Sequence, residues 1–183
     1  MSRWRIRHST YPLQNAWVKI RHDTCELPDG RLLENYVVVE EKEVGSVFAL
    51  TPAREVVLVE QYKHGIGERV LELPAGLFNS VDADPLAEAR REFLEETGYD
   101  AATYHYLGKM AQSPTRMSNS IYLYAALDAY LTGAQHLDDT EDITVRLIPL
   151  DRALQMIASG EIHAVATVAG IYMGWHWLQQ QAG

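Results

Sequence analysis

One cysteine in 183 residues rules out an intrachain disulfide. Nothing therefore points to an oxidising compartment. Cys25 reads as a small hydrophobe in or near a strand rather than a reactive thiol. No run of about 18 apolar residues occurs, so no membrane span is expected. Seven histidines are present, but no His-x-x-x-His or Cys-x-x-Cys spacing suggests zinc. The N-terminal stretch Ser2-Arg3-Trp4-Arg5-Ile6-Arg7-His8 is basic, yet no apolar run follows, so it is not expected to be a signal peptide. Positive charge is in short supply: 16 Lys and Arg stand against 25 Asp and Glu, a net charge of −9. That excludes a surface dedicated to nucleic-acid backbone or anionic membrane. It also means that an anionic substrate is recruited locally, by metal ions and a few Lys or Arg. What remains, 47% hydrophobic and 22% charged residues, is the composition of an ordinary soluble globular protein with a sizeable core. A cytoplasmic enzyme is the expectation.

No low-complexity linker and no internal repeat interrupts the chain. Residues 14–22 and 31–42 are rich in apolar and β-branched residues and flank Leu27-Pro28-Asp29-Gly30-Arg31, where Asp-Gly signals a tight hairpin turn. Further strands are predicted over 44–50, 56–62, 69–74, 104–111, 121–127 and 143–148. Gly45 inside the first of these marks a bulge or a late strand start. Residues 151–159 read as an amphipathic helix. Residues 164–180 read as a longer, largely buried one, capped near Thr167 or slightly earlier. Many strands, a helix, more strands and two helices give an α+β or α/β/α sandwich with a mixed sheet.

The most informative segment runs from Asp84 to Gly98. Asp84 suits an N-cap, Pro85 the first helical position and Gly98 the C-terminal cap. At about 100° per residue, Glu88, Glu92, Glu95 and Glu96 share one stripe, and Leu86, Ala89, Phe93 and Thr97 another. Like charges at i,i+4 cost a few tenths of a kcal/mol per pair, roughly. Glu88/Glu92 and Glu92/Glu96 both carry that cost, and a cation between them removes it. Hard divalent ions such as Mg²⁺ take carboxylate oxygens and complete their shell with substrate phosphates. The bland alternative is a solvated acidic face salted by Arg90 and Arg91.

Gly76 followed by Arg91-Glu92-Phe93-Leu94-Glu95-Glu96-Thr97-Gly98-Tyr99 resembles the Nudix box of phosphate-anhydride hydrolases. The second half of that signature matches in full. The first half departs from it: one extra residue separates Gly76 from Arg91. The family's first glutamate, which helps to hold the box arginine, falls near Ala83, between Asp82 and Asp84. The resemblance implies a Nudix-type α/β/α sandwich over residues 43–183, with residues 1–42 as an antiparallel strand extension. Such extensions characterise the ADP-ribose and nucleotide-sugar branch, where they commonly pack on a partner subunit and help build the base pocket. A homodimer is implied.

The activity implied is metal-assisted attack of water on a diphosphate. The cofactor is Mg²⁺, with Mn²⁺ as a substitute. Glu92 and Glu96 are the leading ligands. Glu95 serves as a further ligand or orients bound water, and the Ala75 carbonyl completes the shell. Arg91 fixes the carboxylates. Lys63, in Gln61-Tyr62-Lys63, stands where the branch has an arginine on the diphosphate; it brings the charge without the bidentate fork. Glu72, in Leu71-Glu72-Leu73-Pro74-Ala75-Gly76, matches a branch glutamate and acts at metal or ribose, or else in a structural ion pair. Pro114, sixteen residues after Gly98, is the branch's spacing. Thr115 replaces its usual glycine, and no acidic residue stands near Asn119. Arg116 adds a cation for the diphosphate or a sugar phosphate. The general base comes from residues 137–142, with Glu141 first and Asp139 second. Trp4 and Trp17 are candidates to stack a base across a dimer. Trp175 and Trp177 read as core or dimer contacts.

The substrate implied is ADP-ribose or another nucleoside diphosphate sugar. Two other readings are a hydrolase of dinucleoside polyphosphates or nucleotide cofactors, and a non-catalytic nucleotide-sugar-binding module. The intact box glutamates argue against the module.

Overall fold

The computed structural model describes residues 3–16 and 18–181. They form two compact units. One takes in the chain up to Lys42 together with Ala111–Ser120; the other comprises Glu43–Met110 and the chain from Ile121 onward.

In the first unit, strands β1 (Arg5–Gln14), β2 (Lys19–Glu26) and β3 (Leu32–Glu40) make an antiparallel sheet in that order. The hairpin turn falls where Asp29-Gly30 places it. Gly30 adopts φ 85°, a conformation open to glycine without Cβ strain, and its N–H donates to the Leu27 carbonyl at 2.9 Å. Strand β1 was not anticipated as a separate element. All its residues but Ser9 are exposed, so no buried face writes a period into its sequence. Its Pro12 lies where the β1–β2 register shifts, a position open to proline because β1 is an edge strand. Asp23, only 2% exposed, accepts from the Ser9 hydroxyl at 2.6 Å and from Arg21 at 2.9 Å. These partners hold its carboxyl below the usual range, against burial, which pushes it up. Residues 111–120 dress β3: the Val39 N–H donates to the Arg116 carbonyl at 2.7 Å, and the Tyr36 hydroxyl to the Thr115 carbonyl at 2.7 Å.

The second unit runs β4 (Val44–Ala49), β5 (Glu55–Lys63), β6 (Glu68–Glu72), β7 (Ala75–Leu77), α1 (Pro85–Thr97), β8 (Tyr99–Asp100), β9 (Tyr104–Ala111), β10 (Ser120–Ala126), β11 (Tyr130–Leu131), β12 (Ile143–Pro149), α2 (Leu150–Ser159) and α3 (Val165–Gln181). One sheet has the order β7-β4-β10-β9, a second β12-β5-β6, and β11-β8 is a small ribbon. Strand β4 pairs parallel with β10 and antiparallel with β7, so the larger sheet is mixed. The strands at its centre are continuous apolar runs, as strands covered on both faces must be. Alternate residues feed two cores. Phe48, Leu58, Leu123 and Ala125 pack with α2 and α3, through Ala153, Met156 and Ile171. Val47, Val57, Tyr124 and Ala126 pack with α1, through Ala89 and Phe93. That is the expected α/β/α sandwich. Among the described residues no helix is long and apolar enough to cross a membrane.

Two expectations need correction. Gly45 marks neither a bulge nor a strand start: it is the second residue of β4 and pairs in register with Gly76 and Tyr122. A Cβ there would lie 2.7 Å from the Ala89 Cα, so glycine is what lets α1 settle onto the strand. Helix α3 is not largely buried. Thr167, Gly170, Ile171 and Gly174 are buried, while Val165, Tyr172 and Trp175 are exposed. The helix starts at Val165, so its cap lies slightly earlier than Thr167; Thr167 is inside the first turn, where its hydroxyl accepts the Leu73 N–H at 3.0 Å. Trp177 packs against the core and the His105 ring.

Replacing Gly45 with alanine should lower stability by about 1–3 kcal/mol, the usual cost of overpacking. The clash is with helix backbone, which has no rotamer to yield. Gly65→Ala, where an added Cβ meets nothing within 4 Å, is the control. Equal melting temperatures for the two variants would sink this account of the β4–α1 contact.

Candidate active site

The caps of α1 are those its sequence calls for. The Asp84 carboxylate accepts the Leu86 N–H at 3.1 Å, Pro85 opens the helix, and Gly98 ends it at φ 72° with its N–H on the Leu94 carbonyl. These ends fix the phase of the helix. With Ala89 and Phe93 turned into the core, the glutamate stripe runs along the flank beside β7.

Contacts with β7 then shape the carboxylates. Glu92 lies over Gly76 so closely that a Cβ on Gly76 would sit 1.9 Å from the carboxyl carbon. Glu96 is buried, 8% exposed, and one of its oxygens accepts the Ala75 N–H at 3.0 Å. Burial pushes the Glu96 carboxyl up to about 8. The Ala75 N–H and Lys63 oppose that push, and the charges of Glu92 and Glu141 add to it. Glu92 is also pushed up, first by burial and then by Glu95 and Glu141, against Arg91.

Arg91 gathers the rest of the stripe. It donates to Glu88 at 2.8 Å, to Glu92 at 2.5 Å and to Glu95 at 2.5 Å. Burial lowers the affinity of this guanidinium for its proton, but the ion pairs outweigh burial and hold it above its ordinary value. The Glu88 carboxyl is held below the usual range, chiefly by Arg91.

The last turn of α1 would leave carbonyls without partners. Residues 132–136 supply them. The Thr132 N–H and hydroxyl both donate to the Gly98 carbonyl at 2.8 Å, the Gln135 amide to the Glu96 carbonyl at 2.6 Å, and the His136 N–H to the Glu95 carbonyl at 2.8 Å. The segment that follows carries Glu141, whose carboxylate accepts the Asp138 N–H at 2.9 Å. Glu141 is half-buried and Asp139 exposed.

Lys63 donates to the Gln61 side chain at 2.7 Å and pairs with Glu72 at 2.9 Å. A cavity of about 380 Å³ opens beside them, lined by Gln61, Tyr62, Arg69, Thr140 and Asp142. Arg69 and Asp142 pair at 2.7 Å. Of the residues singled out from sequence, Ala75, Arg91, Glu92, Glu95, Glu96, Lys63, Glu72, Asp139 and Glu141 all belong to this unit. Ala75 touches Glu96 through its N–H, not its carbonyl. Arg116 is exposed and belongs to the first unit, as does Trp4, which is half-exposed and packs its ring against the edge of Tyr36. Trp17 lies outside the described residues. Sequence reading passed over Gln135 and His136, and their only signal was position after the helix. Glu88 it left outside the motif, although its i,i+3 spacing to Arg91 was legible.

Among the described residues no three carboxylate, imidazole or thiol side chains form a ready metal shell. The guanidinium of Arg91 stands among Glu88, Glu92 and Glu95 instead. The donor chemistry nonetheless suits Mg²⁺. Glu92 and Glu96 offer only hard oxygens, stand one helical turn apart, and are both pushed toward their protonated forms, first by burial and then by neighbouring carboxylates.

Known proteins share both units. The NUDIX domain family matches residues 41–168, and the nucleoside diphosphate sugar hydrolase N-terminal domain matches residues 4–39. A methanol dehydrogenase activator of Bacillus methanolicus is 34% identical over 84% of this chain and 83% of its own length. An ADP-ribose pyrophosphatase of Mycobacterium tuberculosis is 29% identical over 83% of this chain and 73% of its own. A solved structure described as an ADP compounds hydrolase superposes with a TM-score of 0.86 over 99% of this chain and 97% of its own, at 18% identity, a likeness of fold. The family match takes in β4, the glycine of β7 and the whole carboxylate helix, and on that ground the chain belongs to the Nudix family of hydrolases, which cleave phosphoanhydride bonds.

Proposed function

We propose that this Nudix hydrolase cleaves the diphosphate of ADP-ribose or another nucleoside diphosphate sugar, giving a nucleoside monophosphate and a sugar phosphate. The observation that carries the reading is the pair Glu92 and Glu96: two crowded carboxylates, one over Gly76 and one buried on the Ala75 N–H. The match of residues 4–39 to a nucleoside diphosphate sugar hydrolase N-terminal domain supports the substrate class, as does the ADP-ribose pyrophosphatase named above.

In this reading Glu92 and Glu96 hold Mg²⁺, with Glu95 and the Ala75 carbonyl as further oxygens. When bound, the ion neutralises phosphate charge and makes water a better nucleophile. Glu141 takes the proton of the attacking water; its charge already reaches Glu92 and Glu96. Asp139 is the second candidate. Arg91 keeps Glu92 and Glu95 in place. Lys63 leaves Glu72 to meet the diphosphate, and Glu72 is then free to accept a ribose hydroxyl. Arg116 serves a phosphate, and Trp4 and Trp17 serve the base, in a homodimer built through the first unit. Ile6, Tyr11, Leu13 and Leu32, exposed on β1 and β3, support that dimer. The buried, unpaired Cys25 accords with a cytoplasmic enzyme.

A Mg²⁺-dependent panel of ADP-ribose, ADP-glucose, GDP-mannose, UDP-glucose, a diadenosine polyphosphate and NADH tests the reading. Turnover is expected for nucleotide sugars. Glu96→Gln should abolish the Mg²⁺ response. Glu141→Gln should lower kcat by about 10²–10⁴-fold, the contribution of a general base, with little change in KM. Turnover of the polyphosphate or NADH alone would overturn the substrate class.

Stability gives a second handle. In the metal-free protein burial pushes the Glu96 carboxyl up to about 8, against 4.5 for an ordinary glutamate. The folded state therefore binds this proton more tightly than the unfolded one. Its contribution is full below 4.5 and is lost as the pH rises through 8. Metal-free protein should lose on the order of a few kcal/mol across that window, and Glu96→Gln should flatten the slope. Stabilisation by Mg²⁺ should grow over the same range. Denaturant titrations at several pH values check this, and parallel slopes for the wild type and Glu96→Gln would refute it.

A further inference from the structure

Three carboxylates on α1, Glu88, Glu92 and Glu95, share one guanidinium. Arg91 cannot give up its charge, and with 30% of its side chain exposed it needs standing partners. Two of its present partners, Glu92 and Glu95, are groups that the reading above assigns to a divalent cation. If they were its only partners, cation binding would strand a half-buried guanidinium, or the guanidinium would compete with the cation. Either outcome weakens metal binding.

The structure supplies a different partner. Glu88 is 13% exposed in its side chain and lies one turn before Arg91. One of its oxygens accepts both from Arg91 at 2.8 Å and from the Asn79 N–H at 3.1 Å. Asn79, with its amide oxygen turned toward Arg91, accepts from the guanidinium at 3.0 and 3.2 Å. The Leu77 carbonyl lies 3.5 Å from the same group. Leu77, Asn79 and Glu88 thus form an anchor on the loop side of Arg91, away from Glu96. Ala83 leaves the loop without the glutamate that the family signature places there, so the carboxylate of the anchor comes from the helix instead.

We propose that Glu88 is a positioning residue that retains Arg91 when Glu92 and Glu95 turn to a divalent cation, so that the guanidinium orients these carboxylates without competing for them. The inference rests on reading Glu92 and Glu96 as the Mg²⁺ carboxylates. It is tested by a double-mutant cycle of Glu88→Gln and Arg91→Met, with Mg²⁺ affinity read by calorimetry and metal-free thermal stability read beside it. Glutamine keeps an acceptor for the Asn79 N–H and removes the charge.

In the Arg91 background, Glu88→Gln should weaken Mg²⁺ binding by about tenfold or more, the usual scale for a group that orients metal ligands. In the Arg91→Met background the same change should weaken it less than about twofold, because a contact routed through Arg91 has been removed already. Equal weakening in both backgrounds would mean that Glu88 acts only as distant charge, and would overturn the proposal. Weakening in neither background, or no Mg²⁺ binding at all, would do the same. If Glu88→Gln does not fold, Glu88→Asp, which keeps the charge and shortens the reach, must show the same coupling. A protein that shows the coupling yet hydrolyses nothing on the panel would overturn the substrate reading and leave the anchor standing. Turnover of nucleotide sugars without coupling would do the reverse.

Discussion

Negative charge crowded against a sheet is the constraint on which the rest of the second unit depends. Glu92 and Glu96 are neighbours on one helix face, and the packing of α1 carries both toward β7 and out of water. Two glycines allow it. Gly45 lets the helix backbone reach β4, and Gly76 leaves room for the Glu92 carboxylate. A carboxylate in such a place is costly unless something compensates it. Glu96 has one N–H and a distant lysine; Glu92 has a share of Arg91. Both remain pushed toward protonation. Burial thus works against the charged forms of both carboxylates. In the reading proposed above, a divalent cation would supply the compensation.

The fold turns this local burial into a defined geometry. Two-sided burial of β4, β5 and β10 clamps α1 on one face of the sheets and α2 with α3 on the other. The free carbonyls at the end of α1 are then used rather than wasted. Thr132, Gln135 and His136 bind them, which ties the segment carrying Glu141 to the helix carrying Glu92 and Glu96. Hydrogen bonds that any helix end requires thus also set where a candidate base can reach.

Most of this was legible in sequence where a period or a cap is local. Asp84, Pro85 and Gly98 bracketed α1 because capping chemistry acts within one turn. The hairpin at Asp29-Gly30 and the long strands declared themselves in the same way. Strands β7, β8 and β11 were not legible, since two or three residues hold no period. Strand β1 hid because nearly all of it faces outward. The purpose of Gly45 depends on Ala89, over forty residues away, and no local rule predicts a contact at that separation. In the site, the carboxylates and Arg91 stood out by spacing. The pairing of Lys63 with Glu72 and the anchoring role of Glu88 needed coordinates, because ion pairs form across strands and loops whose register the sequence does not state.

A last consequence concerns how an acidic chain can hold a diphosphate. The cations near the carboxylates are already engaged: Lys63 with Glu72, Arg69 with Asp142, Arg91 with Glu88, Glu92 and Glu95. An incoming anion therefore finds no idle positive group among these three and must exchange one ion pair for another. Exposed pairs such as Arg69–Asp142 cost about 1 kcal/mol or less to break, so the exchange is feasible at the rim of the cavity. It is less feasible at Arg91, where the partners are half-buried and crowded. The division of labour follows. Under the function proposed above, rim cations such as Lys63 and Arg69 would change partners to admit the substrate. Arg91, held by Glu88 and its neighbours, is less free to turn to the substrate and is left to the carboxylates. Under that proposed function, the charge that the diphosphate brings would then be met chiefly by a divalent ion on Glu92 and Glu96.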